Sequence, residues 1–500
     1  MMKKNFGSFS VFIFTVFAFG VIFAFWGTPI TQAADFTVVD TVADGNSGSL
    51  RDAIEHANAT AEVDTILLQP GRYILNLGEL EIEQDLVIKG SGAGRTIIDG
   101  NGNDRVFSMT TAVKPDLGVR IIGLTITGGF LQNRQGSVYG GGIYNEGNLI
   151  LSGSTVIGNI AECATDGLYS GYAFGGGICS FGTSANLTLI GSEVTGNQAL
   201  SDFDEAGSYG GGIYSEGTLT IKRSKIDQNM VDSGEWAAGG GVCIGADNVK
   251  FTLMGSQITS NSADASWWAE GSGLSIHGDN AVLALVNSHI SENMLYSDTA
   301  QGGGISIYSD NVLLKLNRSQ VTKNTISGYD AFGGGISNSS NNSEIRLAGS
   351  SVSGNSVRGY NDAFGGGISN SWGESKLVLK NSHVNSNELT GDLVASGGGI
   401  YWYGDLTVQR SQIVANRVES LSNYQGDSGA AMYGARGGGI YSNGNNRFNL
   451  SGSRVTKNTV SSSNVQEGGG VWVGATISYA RIRSVVRNNQ PDQVFIESGD

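Results

Sequence analysis

Four histidines, forty-five acidic residues and seven tryptophans are the side chains best able to do chemistry in this 500-residue chain. Hydrolysis of a glycosidic bond takes two carboxyl groups, one to protonate the leaving oxygen and one to activate water. Elimination from a uronate takes a base beside an acidic cluster that holds calcium. The sequence has no Asp-Asp pair, no Asn-Thr-Asp and no Gly-His-Gly. Ile276-His277-Gly278-Asp279 is the nearest fragment and reads as a surface histidine at a turn. His289 and His383 share a variable repeat position with Glu193, Lys225, Gln257 and Arg454, so that position is simply exposed. Asp202, Asp204, Glu205, Asp232, Glu235, Asp264, Glu270, Asp330 and Asp362 are spread along the chain. No catalytic residue, no metal ligand and no cofactor is assigned; calcium is compatible with the acidity but has no specific motif. Catalysis stays open, and a non-catalytic role is the favoured expectation.

The elements that must position these groups follow from a repeat. Glycine fills 77 positions and proline only 4, while 39% of residues are hydrophobic and 15% charged. Such a chain excludes collagen, coiled coils and disorder, and leaves an all-β protein with many tight turns. A Gly-x-Gly-aliphatic element, mostly Gly-Gly-Gly-Ile, begins at Gly140, Gly175, Gly210, Gly239, Gly271, Gly302, Gly333, Gly365, Gly397, Gly437 and Gly468. Each is followed by Ser-x-(Val/Ile)-x-x-Asn, ending at Asn159, Asn197, Asn229, Asn261, Asn293, Asn324, Asn355, Asn387, Asn416, Asn458 and Asn489.

Within each unit the period is two: Ile213, Leu219, Ile221 and Ile226 face one way, with Lys222, Arg223, Lys225 and Asp227 largely outward. Three short strands per unit leave no room for a crossover helix, so each unit is one coil of a parallel β-solenoid. Eleven coils at about 4.8 Å each span roughly 50 Å. The asparagines are expected to form a structural ladder at turns that tolerate left-handed backbone, because a catalytic reading would demand eleven active sites. Glycine is expected where a Cβ would meet the next coil. Length varies only between each asparagine and the next triplet, which marks a variable loop on one side of the solenoid.

Those variable segments carry Tyr169, Tyr172, Phe174, Phe203, Tyr209, Trp236, Trp267, Trp268, Tyr296, Tyr329, Phe332, Tyr360, Phe364 and Tyr424. Such rings either stack on sugar faces or fold back over the coil. Phe174, Phe332 and Phe364 abut their triplets and favour the second reading. Trp267-Trp268 is the exception, since adjacent strand residues cannot both face inward. Trp267, Trp268 and Trp236 are the ligand-binding candidates. Cys163, Cys179 and Cys243 match no zinc or disulfide framework, and only Cys163 is expected within reach of Cys179.

Ahead of the repeat, Phe36 to Val39 suits an opening strand. Ser49-Leu50-Arg51-Asp52 has capping-box spacing, and Leu50, Ala53, Ile54 and Ala57 form an apolar stripe. This predicts a helix from Leu50 to about Asn58 that closes the solenoid end. Gly48-Ser49-Leu50-Arg51-Asp52-Ala53-Ile54 resembles the Cys-Ser-Leu-Arg-Glu-type segment of bacterial exported β-helix proteins, with Gly48 for the cysteine and Asp52 for the glutamate. The glycine and asparagine elements resemble the Gly-Gly-Ala-Ile and Phe-x-x-Asn pairs of chlamydial polymorphic outer-membrane proteins. Here glycine replaces the alanine, and phenylalanine is absent. Together the resemblances cover nearly all of residues 36–495. They imply a single-stranded right-handed parallel β-helix on an exported, often adhesin-like protein, and no specific ligand. The polymorphic outer-membrane proteins end in a membrane barrel; with Gln493 to Asp500 directly after the last coil, neither a barrel nor a sorting tail is expected.

Residues 1–34 read as a signal peptide: Lys3-Lys4, an apolar stretch from Val11 to Trp26, then Thr31-Gln32-Ala33-Ala34. An uncleaved membrane anchor is the competing reading. The net charge of -15 disfavours nucleic acid as a partner. The expected organisation is a signal peptide (1–34), an N-terminal cap with irregular first coils (35–139), regular β-helix repeats (140–495) and a C-terminal tail (496–500). The expected role is a secreted or cell-surface structural or adhesin-like module recognising glycans or surface proteins. The alternative is a polysaccharide lyase or glycoside hydrolase on a pectate-lyase-like fold. Oligomeric state is left open.

Overall fold

The computed structural model of the protein describes residues 35–38, 44–134, 136–164, 171–202, 206–421 and 433–498. The expected signal peptide, Val39, Tyr169, Phe203, Asp204, Glu205 and Tyr424 lie outside the described residues. The chain is an all-β parallel β-helix with one short helix among the described residues. No described helix is long and apolar enough to cross a membrane.

Most regular coils contain five strands rather than the three expected; in the coils opened by Gly365 and Gly397 the first two run together as Ile368–Lys380 and Ile400–Gln409. The coil opened by Gly210 runs through Ile213–Ser215, Thr218–Lys222, Lys225–Asp227, Met230–Ser233 and Trp236–Ala238. Its strands pair in parallel with their counterparts one coil on, for example Leu219↔Phe251 and Ile226↔Ile258. The first and second strands of all coils belong to one 27-stranded sheet, which we call sheet I, and the third to a 14-stranded sheet II. The fourth and fifth form 11-stranded sheets III and IV. The segment expected to be a variable loop is therefore mostly a pair of strands, and only its tip varies in length.

Two large apolar cores result, with a small third cluster of Cys179, Tyr214, Ala238 and Cys243. Ile213, Leu219, Ile221 and Ile226 are fully buried in the main core between sheets I and II. The outward assignment of their neighbours holds; Asp227, on the same face as Lys225, is covered by its partners, accepting from Lys225 Nζ at 2.8 Å and Thr259 Oγ1 at 2.7 Å. A second, narrower core lies between sheets III and IV, where Val231 and Ala237, Ile326 and Ala331, and Val357 and Ala363 are buried. A register column in sheet IV reads Ala237, Ala269, Ala300, Ala331. Small side chains let the two sheets approach closely, so they form a thin fin along the solenoid.

Polar ladders complete the coils. Each repeated asparagine is buried, and Asn229 shows the pattern: its Nδ2 donates to Asn261 Oδ1 at 3.0 Å and to the Val194 carbonyl at 2.9 Å. Its backbone N–H donates to the same Asn261 oxygen at 3.0 Å. Both amide protons and both lone pairs are thus used, which leaves no buried polar group to desolvate without compensation. At the last coil Gln493 Oε1 takes the place of the next asparagine, accepting from Asn489 N and Nδ2 at 3.1 Å each.

The left-handed backbone does not sit on the asparagines as expected. It falls on the residue before each, such as Gln228 (φ 53°), Ser260 (φ 55°) and Glu292 (φ 60°). The asparagine side chains lie buried, and the preceding residue makes the corner. The third triplet glycine is required by packing: a Cβ on Gly212 would lie 2.6 Å from the Gly241 carbonyl oxygen and 2.9 Å from the Asn229 side chain.

The helix α1 (Leu50–Asn58) buries Leu50, Ala53, Ile54 and Ala57, with Ser49 capping the Asp52 N–H at 3.2 Å. Arg51 ties it to the first coils through the Gly78 and Glu79 carbonyls, each at 2.7 Å, and through Asp44 at 2.9 Å. All three cysteines are free and buried. Cys163 lies in the fin core and Cys179 in a different cluster beside sheet I, so the pairing left open for them is not made.

Candidate functional site

The glycine triplet folds sheet IV back against the first strands of sheet I, so the outward side chains of the two face each other in a crease. One wall is the last residue of each sheet IV strand, the column Tyr209, Ala238, Glu270, Gln301. The other is the middle residue of each first strand, the column Tyr214, Cys243, Ser275, Ser306.

Aromatic rings fill the crease on both sides of these coils. Toward the N-terminus Tyr139, Phe174 and Tyr209 stack at 5.1 and 5.4 Å, with Tyr214 at 4.7 Å from Phe174. Toward the C-terminus Phe332, Phe364, Tyr401, Tyr441 and Trp472 follow at 5.5, 4.7, 4.9 and 4.3 Å. Phe174, Phe332 and Phe364 therefore fold back onto the coil, one of the two readings open from sequence. Between these stacks the columns lose their rings: Ala238, Glu270 and Gln301 stand on one side and Cys243, Ser275 and Ser306 on the other. A cavity of 120 Å³ opens there, lined by Tyr209, Trp236, Trp268, Glu270, His277 and Tyr308, with Ala237 and Ala238.

Trp236 and Trp268 are register partners on adjacent strands and both line this cavity. Trp236 is 47% exposed, whereas Trp268 is partly buried and its Nε1 donates to Glu270 Oε1. Trp267 is 68% exposed at the fin tip and is not part of the lining. The three candidate tryptophans thus divide into two at the cavity and one outside it.

The polar centre is Glu270 with His277. The Glu270 side chain is 3% exposed, and its Oε2 lies 3.5 Å from Ser275 Oγ and 3.4 Å from His277 Nε2. That imidazole nitrogen is buried and makes no hydrogen bond. Burial pushes the Glu270 carboxyl up to about 7 against the lowering effect of Trp268 and Ser275, and pushes His277 down to about 4. Burial also holds the Cys243 thiol well above its ordinary value, with Glu270 adding to the effect. Among the described residues no lysine or arginine lines the cavity.

His277 is thus not the surface histidine at a turn that its tetrapeptide predicts; its side chain is 22% exposed and its ring meets Tyr209 and Tyr308 at 5.8 and 5.7 Å. Sequence reasoning scattered Glu270 among loop acids and passed over Tyr308. One signal marks this coil: the triplet after Glu270 is the single one interrupted, by Ser272. Other aromatics of the segment, Tyr172, Tyr296, Tyr329 and Tyr360, are exposed and do not line the cavity, though Tyr172 packs on Tyr209 at 6.0 Å. Asp232 and Asp264 are register partners in sheet III, and burial and mutual repulsion raise the Asp264 carboxyl. Among the described residues no group of three His, Cys, Asp or Glu is placed to hold a metal ion.

The fold and this crease define a parallel β-helix with an aromatic flank cavity. No family model and no curated protein matches the chain. Among solved structures, it is similar to the A-module of the mannuronan C-5 epimerase AlgE6 of Azotobacter vinelandii. That likeness has 14% identity over 82% of this chain and 100% of that one, with a TM-score of 0.38. It is also similar to ORF18 of Geobacillus virus E2, with 11% identity over 69% of this chain and 61% of that one, and a TM-score of 0.26. Neither likeness bears on the chemistry of the cavity.

Proposed function

We propose that this protein is an exported, secreted or cell-surface recognition module, structural or adhesin-like, that binds extracellular glycans or surface proteins along its flank crease. The observation that carries this reading is the pair Trp236 and Trp268, held in register at a cavity with one buried carboxyl. Aromatic faces beside a carboxyl suit the apolar faces and hydroxyls of sugars. The basic and apolar pattern of residues 1–34 supports export. The acidic charge disfavours nucleic acid.

The second reading, a polysaccharide lyase or glycoside hydrolase, draws on the contact of Glu270 with His277, a pair able to hold and pass a proton. Hydrolysis takes two carboxyl groups about 5–9.5 Å apart, and among the described residues Glu270 is the one carboxyl in the cavity lining. Binding is therefore the better supported reading. A glycan array and a uronate-release assay on the mature chain, with and without calcium, test both. Array binding lost in Trp236→Ala and retained in Trp267→Ala supports the recognition reading. Release of unsaturated products overturns it in favour of the enzyme.

A further inference from the structure

We propose that the flank cavity is an aromatic cage for a quaternary ammonium group, with Tyr209, Trp236, Trp268 and Tyr308 as walls and Glu270 as the counter-charge. This rests on the reading that the crease is the ligand-binding face, and it names the chemical class of the group that enters.

The walls are aromatic rings that cross one another at the cavity. Along part of the crease rings stack nearly parallel, as Tyr441 and Trp472 do at 9°. Around the cavity they turn across one another: Trp268 meets Tyr308 at 77° and Tyr209 meets His277 at 87°. Ring faces carry the negative part of the aromatic quadrupole, and several faces turned toward one space attract a cation without hydrogen-bond donors.

The size and charge agree. A volume of 120 Å³ is well below the roughly 300–1,000 Å³ that encloses a drug-sized ligand. The space admits a compact head group, with the rest of the ligand left on the fin. Glu270 is buried with no lysine or arginine among the described residues of the lining, and its neighbour His277 is held neutral by burial. A carboxylate taken out of water needs a counter-charge, and a bound cation supplies one. A primary ammonium would also need acceptors for three N–H groups, whereas the Glu270 oxygens already face Trp268 Nε1 and Ser275 Oγ. An N-methylated cation has no such requirement.

The groups that face Glu270 are His277, Ser275, Trp268, Cys243 and Tyr209; burial keeps the last two neutral. Deprotonation of Glu270 therefore sets the charge of the cage, and cation affinity rises with pH until that carboxyl is ionised.

The test is calorimetric titration of the full mature chain with choline and with its neutral carbon isostere, neopentyl carbinol. The expected result is saturable choline binding at least about tenfold tighter than the alcohol. It weakens about tenfold per pH unit below the Glu270 transition. Glu270→Gln and the half-exposed Trp236→Ala each weaken choline about tenfold or more, with circular dichroism confirming the fold of both. Co-sedimentation with phosphatidylcholine vesicles but not with phosphatidylglycerol vesicles assigns the trimethylammonium group to a lipid head group. Choline binding without vesicle binding assigns it to a soluble or glycan-borne source. Equal affinity for choline and the alcohol, or no saturable choline binding, overturns the cage. If array glycans still bind through Trp236 in that case, the recognition reading stands and only the cation is lost; if they also fail, both fall.

Discussion

Glu270 Oε2 and His277 Nε2 stand 3.4 Å apart in the crease, an acid whose ionisation burial delays to about 7 and a base whose protonation burial delays to about 4. Their effects on stability have opposite signs. Glu270 rises from 4.5 to about 7 on folding, so between those values the folded state holds the extra proton and stability falls as pH rises. His277 drops from 6.5 to about 4, so between those values the unfolded chain holds the extra proton and stability grows as pH rises. Each contribution is worth roughly 3 kcal/mol across its window. In Glu270→Gln, unfolding free energy relative to wild type should increase from pH 4.5 to 7. In His277→Asn, the relative free energy should decrease from pH 4 to 6.5. Urea midpoints measured at each pH check this, and parallel profiles for the three proteins would count against it.

The asparagine ladder should be least tolerant in its interior. Asn293→Ala leaves Asn261 N and Nδ2 without the oxygen each now reaches at 3.0 Å. Two buried donors without acceptors cost about 2–6 kcal/mol together. Gln493→Ala removes the equivalent acceptor at the open end, where water can replace it, and should cost less. Equal urea midpoints for the two variants would contradict the ladder account.

Two glycines that look alike in the repeat should behave differently. Gly212→Ala drives a Cβ to 2.6 Å from the next coil's backbone and should prevent folding or cost several kcal/mol. Gly191 has φ 55° with nothing within 4 Å of a Cβ, and the matching position holds Arg223 in the next coil. Gly191→Asn should change the melting temperature little, because asparagine accepts left-handed backbone.

Ligand binding should separate the tryptophans. Trp236→Ala and Trp268→Ala should each weaken glycan binding about tenfold or more, since stacked rings in pockets dominate such contacts. Trp267→Ala, at the exposed tip, should leave array signals within about twofold of wild type. A loss confined to Trp267→Ala would move the site to the fin tip.

Much of the coil was legible because it repeats. The inward row Ile213, Leu219, Ile221 and Ile226 and the cap helix at Leu50 follow from local periodicity and capping chemistry. The fin was overlooked, although its mark is in the sequence: Ala173, Ala237, Ala269, Ala300, Ala331 and Ala363 all precede their triplets by two residues. Alanine contributes little to a hydrophobic pattern, so a strand that packs on alanines reads as a loop. The cavity was less visible still. It arises from what the columns lose, as Tyr214 gives way to Cys243, Ser275 and Ser306, and a vacancy between stacked coils has no motif within one coil. Glu270 and His277 lie on the two sides of a triplet, and only the fold back at Gly271 and Gly273 brings them together.

Hydroxyl-radical footprinting of the full chain, with and without choline and the tightest-binding array glycan, tests the flank site most directly. The account predicts protection of Trp236, Trp268 and Tyr308, with Trp267 and Tyr360 unchanged. Protection of Trp267 and Tyr360 with the cavity residues unchanged would contradict it.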